Sequence, residues 1–191
     1  MTELEEVAAR AAAAASGEEP VDAAVATFLL RHYLRSGVAE LREPLGLALA
    51  QALALAGSDA SVAGRAAWLT LLVEATAVAE DDRLLPAVEQ LVAALRAAWS
   101  AHTRIDDVAV SAEACLRAAE IVEPGELVQD AIDHLERVIG GSYRPGEGLV
   151  RDRDGVRMRC SLADHVRGAS ALLTAFEIGR ASCRERVSKQ V

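Results

Sequence analysis

The sequence predicts an all-α fold, and three observations support this prediction. Apolar residues recur at helical spacing along nearly the whole chain, and no stretch alternates apolar and polar residues at period two. Hydrophobic residues make up 52% of the 191 residues but aromatic residues only 3%, so the core must be built from Ala, Leu and Val. Helical segments also align with one another along the chain, which is typical of repeated helical hairpins.

Turn and capping residues divide the chain into eight predicted helices. Pro20 opens the second helix and Gly37 closes it, because Pro suits the first helical turn and Gly the position after the last. The eighth helix begins near Ser161, where Ser161-Leu162-Ala163-Asp164 is a variant of the capping box. The other predicted helices cover about 2–15, 21–36, 38–56, 61–79, 83–100, 105–121 and 126–139.

One long stretch, residues 140–160, lacks the helical pattern. It starts at the pair Gly140-Gly141, which is expected to end the seventh helix, and contains the turn signals Pro145-Gly146 and Asp154-Gly155. Val150 and residues 156–158 flank the second signal, so we expect one short β-like hairpin near 143–158. The charge run 151–154 is interpreted as the solvated surface of that hairpin.

The last residues differ from the rest of the chain. Residues 177–187 read EIGRASCRERV, and a DNA string that encodes them looks like a common sequencing adapter. The tail also holds Lys189, the only Lys of the chain. We therefore interpret 1–177 as one helical domain, truncated on its C-terminal side, and 178–191 as a non-native or disordered tail. The alternative is a natural basic tail.

Two helical segments repeat at a constant offset of 57 residues. The segment DDVAVSAEACLRAAEI (106–121) aligns with ADHVRGASALLTAFEI (163–178), and residues 63–77 align less exactly with the first of them. The helix at 61–79 is apolar almost all round, whereas the helix at 83–100 is amphipathic. A helix that is apolar all round is buried and an amphipathic one lies at the rim. This alternation predicts layers of α-hairpins, as in an α/α toroid or a helical solenoid.

The segment at about 104–177 resembles the hairpin repeats of six-hairpin-glycosidase-like α/α toroids. It contains SYRPGEGLVRDRDG followed by DHVRGASALLTAFE, and is similar to the helical C-terminal region of bacterial thioredoxin-domain proteins akin to spermatogenesis-associated protein. The resemblance implies an incomplete toroid of about four helical hairpins. Two features depart from it: the chain has no thioredoxin domain or CxxC, and a Thr-Asp-Trp-Asn-like signature reads Ile105-Asp106-Asp107-Val108.

Composition excludes several function classes. The net charge of −9 argues against a nucleic-acid or anionic-membrane partner. The longest apolar run, 45–56, is shorter than the ~20 residues of a membrane helix, and the first six residues are acidic where a signal peptide is basic. We therefore expect a cytoplasmic protein. The chain has no Asn and a single Lys, two residues with AT-rich codons, which indicates a bacterial genome rich in GC.

Three carboxylates are the candidate catalytic groups. Asp106 and Asp107 lie at the start of the sixth helix, and Asp164 lies at the start of the equivalent helix one repeat later. In toroids the ends of the inner helices surround a central funnel, so that these groups would face a substrate together. Glycoside hydrolysis needs two carboxyl groups ~5–5.5 Å or ~6.5–9.5 Å apart. The alternative is that each carboxylate caps its own helix and interacts with the helix dipole.

Four further residues are candidates for substrate binding. Tyr143 and Arg144 lie in the loop before the last helix, and His165 and Arg167 lie in its first turns. Planar guanidinium groups bind anions, and Tyr stacks on a pyranose ring. The alternative for each residue is a solvated position near a helix end.

The cysteines and histidines indicate no metal site. Three cysteines are an odd number without CxxC spacing, and the histidines have no partner four residues away, so we expect no metal and no cofactor. Cys160 lies beside Arg157 and Arg159, a setting that lowers a thiol pKa. Cys115 and Trp68 are predicted to be core residues.

Two function classes remain open from the sequence. In the first, a sugar-binding or carbohydrate-active toroid places Asp106, Asp107, Asp164 and His165 at its funnel. In the second, a non-catalytic helical scaffold binds a protein partner, as repeat folds often do. Fold analogy alone supports the first class. A terpenoid-cyclase-like toroid is disfavoured, because aromatic residues are only 3% of the chain.

Overall fold

The computed structural model describes residues 3–17, 21–55, 61–101, 104–122, 126–153 and 155–188. Within these residues the fold is all-α apart from one small antiparallel sheet, which confirms the predicted fold class. Pro20, which is predicted to open the second helix, and Asp154, which belongs to a predicted turn, lie outside the described residues. The helices are α1 (Glu3–Ala15), α2 (Ala23–Ser36), α3 (Arg42–Leu55), α4 (Val62–Thr76), α5 (Leu84–Ala98), α6 (Ile105–Ala118), α7 (Leu127–Leu135) and α8 (Leu162–Ser188); the strands are β1 (Tyr143–Arg144), β2 (Gly148–Arg153) and β3 (Val156–Arg159).

The chain forms two compact units, residues 1–93 and 94–191, and the division falls within α5. In the first unit α1 packs against α2 and α3, and α2 packs against α3 and α4. In the second unit α6 packs against α7 and α8, and β2 packs against α8. Among the described helices, none is both long enough and apolar enough to cross a lipid bilayer.

Local capping residues set the ends of several helices. The Asp22 carboxylate accepts a hydrogen bond from the Ala24 amide at 2.7 Å, so that α2 begins at Ala23. Gly37, at φ 66°, ends α2 and donates its amide hydrogen to the Tyr33 carbonyl at 2.8 Å. Gly37 is the residue from which the sequence predicts the end of this helix, whereas the Asp22 cap was not predicted.

The core of the first unit is aliphatic, as the composition predicts. Helix α4 buries residues on several of its faces, and they include Trp68, which confirms the predicted core position. The buried residues of α4 are Val62, Ala66, Trp68, Leu69, Leu71, Leu72 and Ala75.

The core of the second unit contains a small polar cluster. Trp99 Nε1 donates to Ser111 Oγ at 3.2 Å, and Ser111 Oγ donates to the Val108 carbonyl at 3.1 Å. The indole also stacks on the His134 ring, with the ring centroids 5.0 Å apart. Cys115 is fully buried in α6, as predicted. Each buried polar atom of the Trp99–Ser111 pair thus has a partner, which keeps the cost of its burial low.

The predicted hairpin is confirmed, and the structure adds a strand to it. Arg153 pairs with Val156 across a two-residue connection in which Gly155 has φ 77°. A second turn, with Gly146 at φ 81°, joins β1 to β2, so that the strands form a three-stranded meander. The sequence misses β1 because this strand is only two residues long.

The end of the seventh helix differs from the prediction. The helical backbone runs past Gly140 and Gly141, because α7 continues into a π-helical turn (Glu136–Gly140) and Gly141 keeps helical angles (φ −64°, ψ −28°). Glycine permits a left-handed end without imposing one. Helix α8 continues past residue 177 to Ser188, and residues 180–188 contain no Gly or Pro to end it; the interpretation of 178–191 as a non-native or disordered tail stays a prediction.

Candidate functional site

A cavity of about 380 Å³ lies in the second unit, between the first turns of α6 and α8 and the strands β2 and β3. Most of the side chains that line it are polar or charged, and they come from four separate segments. The lining residues are Arg104, Ile105, Asp106, Gly141, Ser142, Arg144, Val150, Arg151, Asp152, Arg157, Cys160 and Asp164.

Helices α6 and α8 run parallel, so both of them start at this cavity. Asp106 and Asp164, in the two first turns, line it together. Further along the same helices, Ser170 Oγ donates to Glu113 Oε1 at 3.1 Å. Two neighbouring helices that meet both at their starts and at their middles have the same direction. Their N-termini, with positive ends of the helix dipoles, are therefore at the same site.

His165 fixes strand β2 on the first turn of α8. Its Nδ1 donates to the Ser161 carbonyl at 2.8 Å, and its Nε2 accepts from the Leu149 amide at 2.9 Å. A Cβ on Gly148, which has φ 80°, would lie only 2.6 Å from Nε2, so glycine is required for this close approach. Both ring nitrogens are thus used for structure. His165 does not line the cavity and positions the strand that does.

Arg104 holds the carboxylates at the start of α6. Its Nη2 lies 2.7 Å from Asp106 Oδ2 and its Nε 3.2 Å from Oδ1, and Nε is 3.5 Å from Asp107 Oδ2. The hydrogen bond from Arg104 lowers the pKa of Asp106, with partial burial opposing it. Asp106 is therefore ionised at neutral pH. Asp107 does not line the cavity, although the sequence groups it with Asp106.

Asp164 caps its own helix, as the alternative interpretation expects. Its Oδ2 accepts from the amide and from the hydroxyl of Ser161, both at 2.8 Å. In return, Ser161 Oγ accepts from the Asp164 amide at 3.2 Å, which completes a reciprocal capping box. One oxygen of this cavity-lining carboxylate is therefore already bound within α8.

Three arginines of the cavity form no ion pair with a carboxylate of the described residues. Arg144 Nη1 donates to the carbonyls of Gly141 and Tyr143 at 2.9 and 2.7 Å, both of them neutral acceptors. Arg151 lies on β2 and Arg157 on β3. Across the part of the chain that the structure describes, these three side chains form no ion pair. The charge run was interpreted as a solvated surface, whereas Arg151 and Asp152 line the cavity.

The basic sequence neighbours of Cys160 do not lower its pKa. Burial raises the pKa of this thiol, the carboxylates of Asp164 and Asp106 raise it further, and Arg151 opposes them in part. The residues beside Cys160 in sequence are basic, but the charges that act on its sulfur include two carboxylates from the helix starts. The thiol lines the cavity in its protonated form.

The structure brings some of the sequence-predicted site residues together and leaves others apart. Asp106, Asp164 and Arg144 share the cavity. Tyr143, with 53% of its surface exposed, and the exposed Arg167 are not among its lining residues. Within the described residues, no group of three or more His, Cys, Asp or Glu side chains is arranged to hold a metal ion.

The sequence missed Arg104, Arg151 and Arg157 as site residues. The alternation of Arg and Asp in this segment gave no usable signal, because the consecutive residues Arg151 and Asp152 both line the cavity and Arg157 pairs with Asp152. Comparison with known proteins gives no match: no family model, no curated protein and no solved structure matches the chain. The resemblance to α/α toroids therefore stays a prediction.

Proposed function

We propose that this chain is a cytoplasmic α/α-toroid-type protein that binds a carbohydrate in the cavity between α6 and α8 without hydrolysing it. The observation that supports this proposal is the lining of the cavity. Guanidinium and carboxylate groups from two helix starts and three strands converge on about 380 Å³, within the size range of small-molecule sites. Planar charged groups that can form paired hydrogen bonds suit the adjacent hydroxyls of a sugar.

The parallel packing of α6 and α8 supports the toroid part of the proposal. Concentric layers of α-hairpins require consecutive helices of one layer to point the same way, with the return helix between them in sequence. Helices α6, α7 and α8 meet this requirement in the second unit, where α7 packs against α6 and α8.

The state of the carboxylates favours binding over hydrolysis. A glycosidase needs one carboxyl group that is still protonated near the working pH, so that it can act as the general acid. Arg104 lowers the pKa of Asp106, and Asp164 has one oxygen bound in its capping box. Neither group is placed as a general acid would be.

Titration calorimetry with a panel of neutral and charged mono- and disaccharides tests this proposal, together with a hydrolysis assay on the matching nitrophenyl glycosides. We expect saturable binding by at least one saccharide and no hydrolysis. Asp152→Asn, which changes a lining carboxylate, weakens that binding, whereas Arg167→Gln, outside the lining, does not. The proposal fails if no saccharide binds, or if a glycoside is cleaved and Asp106→Asn abolishes the cleavage.

The second candidate is the helical scaffold that binds a protein partner, and the surface of α8 favours it. Leu162 is 80% exposed, although Ile105, its equivalent in α6, is 5% exposed. Val166, Leu172 and Leu173 are exposed beside it. Exposed apolar patches often mark protein-binding surfaces. This candidate takes precedence if no saccharide binds and Leu173→Glu abolishes a concentration-dependent increase in light scattering.

A further inference from the structure

The cavity has a charge opposite to that of the chain. Four guanidinium groups line it against three carboxylates, whereas the whole chain has a net charge of −9. An excess of positive charge at one concave site in an acidic protein favours an anionic ligand there, because low-dielectric walls focus the local field.

The four arginines are not equivalent. Arg104 is bound to Asp106 and Asp107, which offset its charge. Arg157 is the cross-strand partner of Asp152, and residues directly opposite one another lie on the same face of the sheet. Among the described residues, Arg144 and Arg151 have neither an ion pair with a carboxylate nor a carboxylate directly opposite them on the neighbouring strand.

Arg144 is held in place without being neutralised. Its Nη1 donates to two backbone carbonyls, at 2.9 and 2.7 Å, which orient the guanidinium and leave its full charge. Arg151 extends from β2, the strand that His165 fixes on α8. The two backbone contacts of the Arg144 guanidinium reduce the entropy that a ligand must offset when it binds there.

We propose that the sugar bound in this cavity carries one anionic group, a carboxylate or a phosphate, that is bound by Arg144 and Arg151. The sugar part of this inference rests on the proposed function. A guanidinium forms two parallel hydrogen bonds with either group, stronger than those between neutral partners. The starts of α6 and α8 add to the attraction for a negative charge. Ser142 and Asp152, also in the lining, are available to the sugar hydroxyls.

Calorimetry of the full chain at low ionic strength tests the inference with four probes: glucose, glucuronate, glucose 6-phosphate and inorganic phosphate. We expect at least one of the two anionic sugars to bind about tenfold or more tightly than glucose, and this binding to weaken as salt is added. Arg144→Gln and Arg151→Gln each weaken it by about tenfold. Arg159→Gln, an exposed neighbour on β3 outside the lining, serves as the matched control and leaves it unchanged. Circular dichroism melts verify that all three variants fold.

The outcomes separate this inference from the proposed function. If glucose binds as tightly as the anionic sugars, the anionic inference is overturned and carbohydrate binding stands. If inorganic phosphate competes as well as glucose 6-phosphate, the site binds anions and the sugar part is overturned. If Arg159→Gln weakens binding as much as Arg144→Gln, the assignment to the cavity is overturned. If no probe binds, both the inference and the proposed function fail.

Discussion

Ser170 and Glu113 are joined by a hydrogen bond of 3.1 Å, and they are 57 residues apart, which is the offset at which the two helical segments of the sequence align. Equivalent positions of successive repeats therefore touch. Glu113 also accepts a hydrogen bond from Arg117 at 2.8 Å, so one carboxylate joins two turns of α6 to the middle of α8. Contacts between equivalent positions are expected where neighbouring repeats stack.

The same equivalence supplies a matched pair of core and surface variants. Leu116 is fully buried in α6, and its equivalent Leu173 is 57% exposed in α8. We expect Leu116→Ala to lower the free energy of unfolding by about 2–5 kcal/mol, because it leaves a cavity. Leu173→Ala lowers it by about 0.5 kcal/mol or less. Urea denaturation of both variants measures the difference, and equal losses would show that α8 is buried in solution.

Gly148 and Gly146 test the contact between His165 and β2. Both glycines have positive φ, 80° and 81°. A Cβ on Gly148 would lie 2.6 Å from His165 Nε2, whereas a Cβ on Gly146 would have no neighbouring atom within 4 Å. Gly146→Ala therefore reports the backbone strain alone, about 1–2 kcal/mol. Gly148→Ala adds the displaced imidazole and the lost Leu149 hydrogen bond, and costs about 1 kcal/mol more.

A third variant separates the two contributions at Gly148. In a His165→Ala background, where the imidazole is absent, Gly148→Ala costs only as much as Gly146→Ala does. Thermal or chemical unfolding curves give each value. An excess cost at Gly148 that persists in this background would mean that the clash with His165 is not its source.

The Arg104–Asp106 pair makes a pH-dependent contribution to stability. The pKa of Asp106 in the folded chain lies below its ordinary value of 3.8, so the stabilisation is present above that value and is lost as the pH falls through the folded-state pKa. Arg104 is 70% exposed, so solvent screening keeps this contribution small. Asp106→Asn removes this contribution at neutral pH.

The measurement is the free energy of unfolding of the two chains as a function of pH. The difference between wild type and Asp106→Asn shrinks as the pH is lowered and disappears below the folded-state pKa. Arg104→Gln lowers the free energy of unfolding as Asp106→Asn does. In the Arg104→Gln chain, the further substitution Asp106→Asn causes no additional pH-dependent loss. A difference that stays constant with pH would assign the loss to the amide substitution itself.

Thiol labelling distinguishes the described cysteines. Burial raises the pKa of Cys115 to about 12, and the pKa of Cys160 is also raised, so neither thiol is ionised at pH 8. We expect an alkylating reagent to leave Cys115 unmodified in the folded Cys183→Ser chain and to label Cys160 slowly. Peptide mass spectrometry reads the modified positions, and denaturant exposes both. Rapid labelling of native Cys160 would show that its pKa is not raised in the folded chain.

Local interactions are the part of this fold that the sequence predicts well. Gly37 and the Ser161–Asp164 box act on their own helix ends, so their effect does not depend on the rest of the chain. The Gly140-Gly141 pair was expected to end the seventh helix, but glycine permits a helix end without requiring one. The backbone stays helical through both glycines.

The site is only partly predictable, because its lining depends on long-range packing. The meeting of the two helix starts follows from the repeat, but at its offset of 57 the equivalent of Asp164 is Asp107, whereas the structure places Asp106 in the lining. Arg151 and Arg157 depend on the fold of the sheet toward α8, which the contact between His165 and Leu149 fixes. Alternation of polar and apolar residues predicts a strand, but it does not predict the helix against which that strand packs. The raised pKa of Cys160 could not be predicted for the same reason, because Asp106, one of the carboxylates that raise it, is distant in sequence.

The division of the chain into two compact units gives each unit its own fluorophore. Of the two tryptophans, Trp68 is buried in the first unit, and Trp99 is stacked on His134 in the second. Replacing either indole by Phe leaves emission from one unit alone. Superimposable unfolding curves from the two single-tryptophan chains would mean one cooperative transition, and separated curves would mean that each half unfolds by itself.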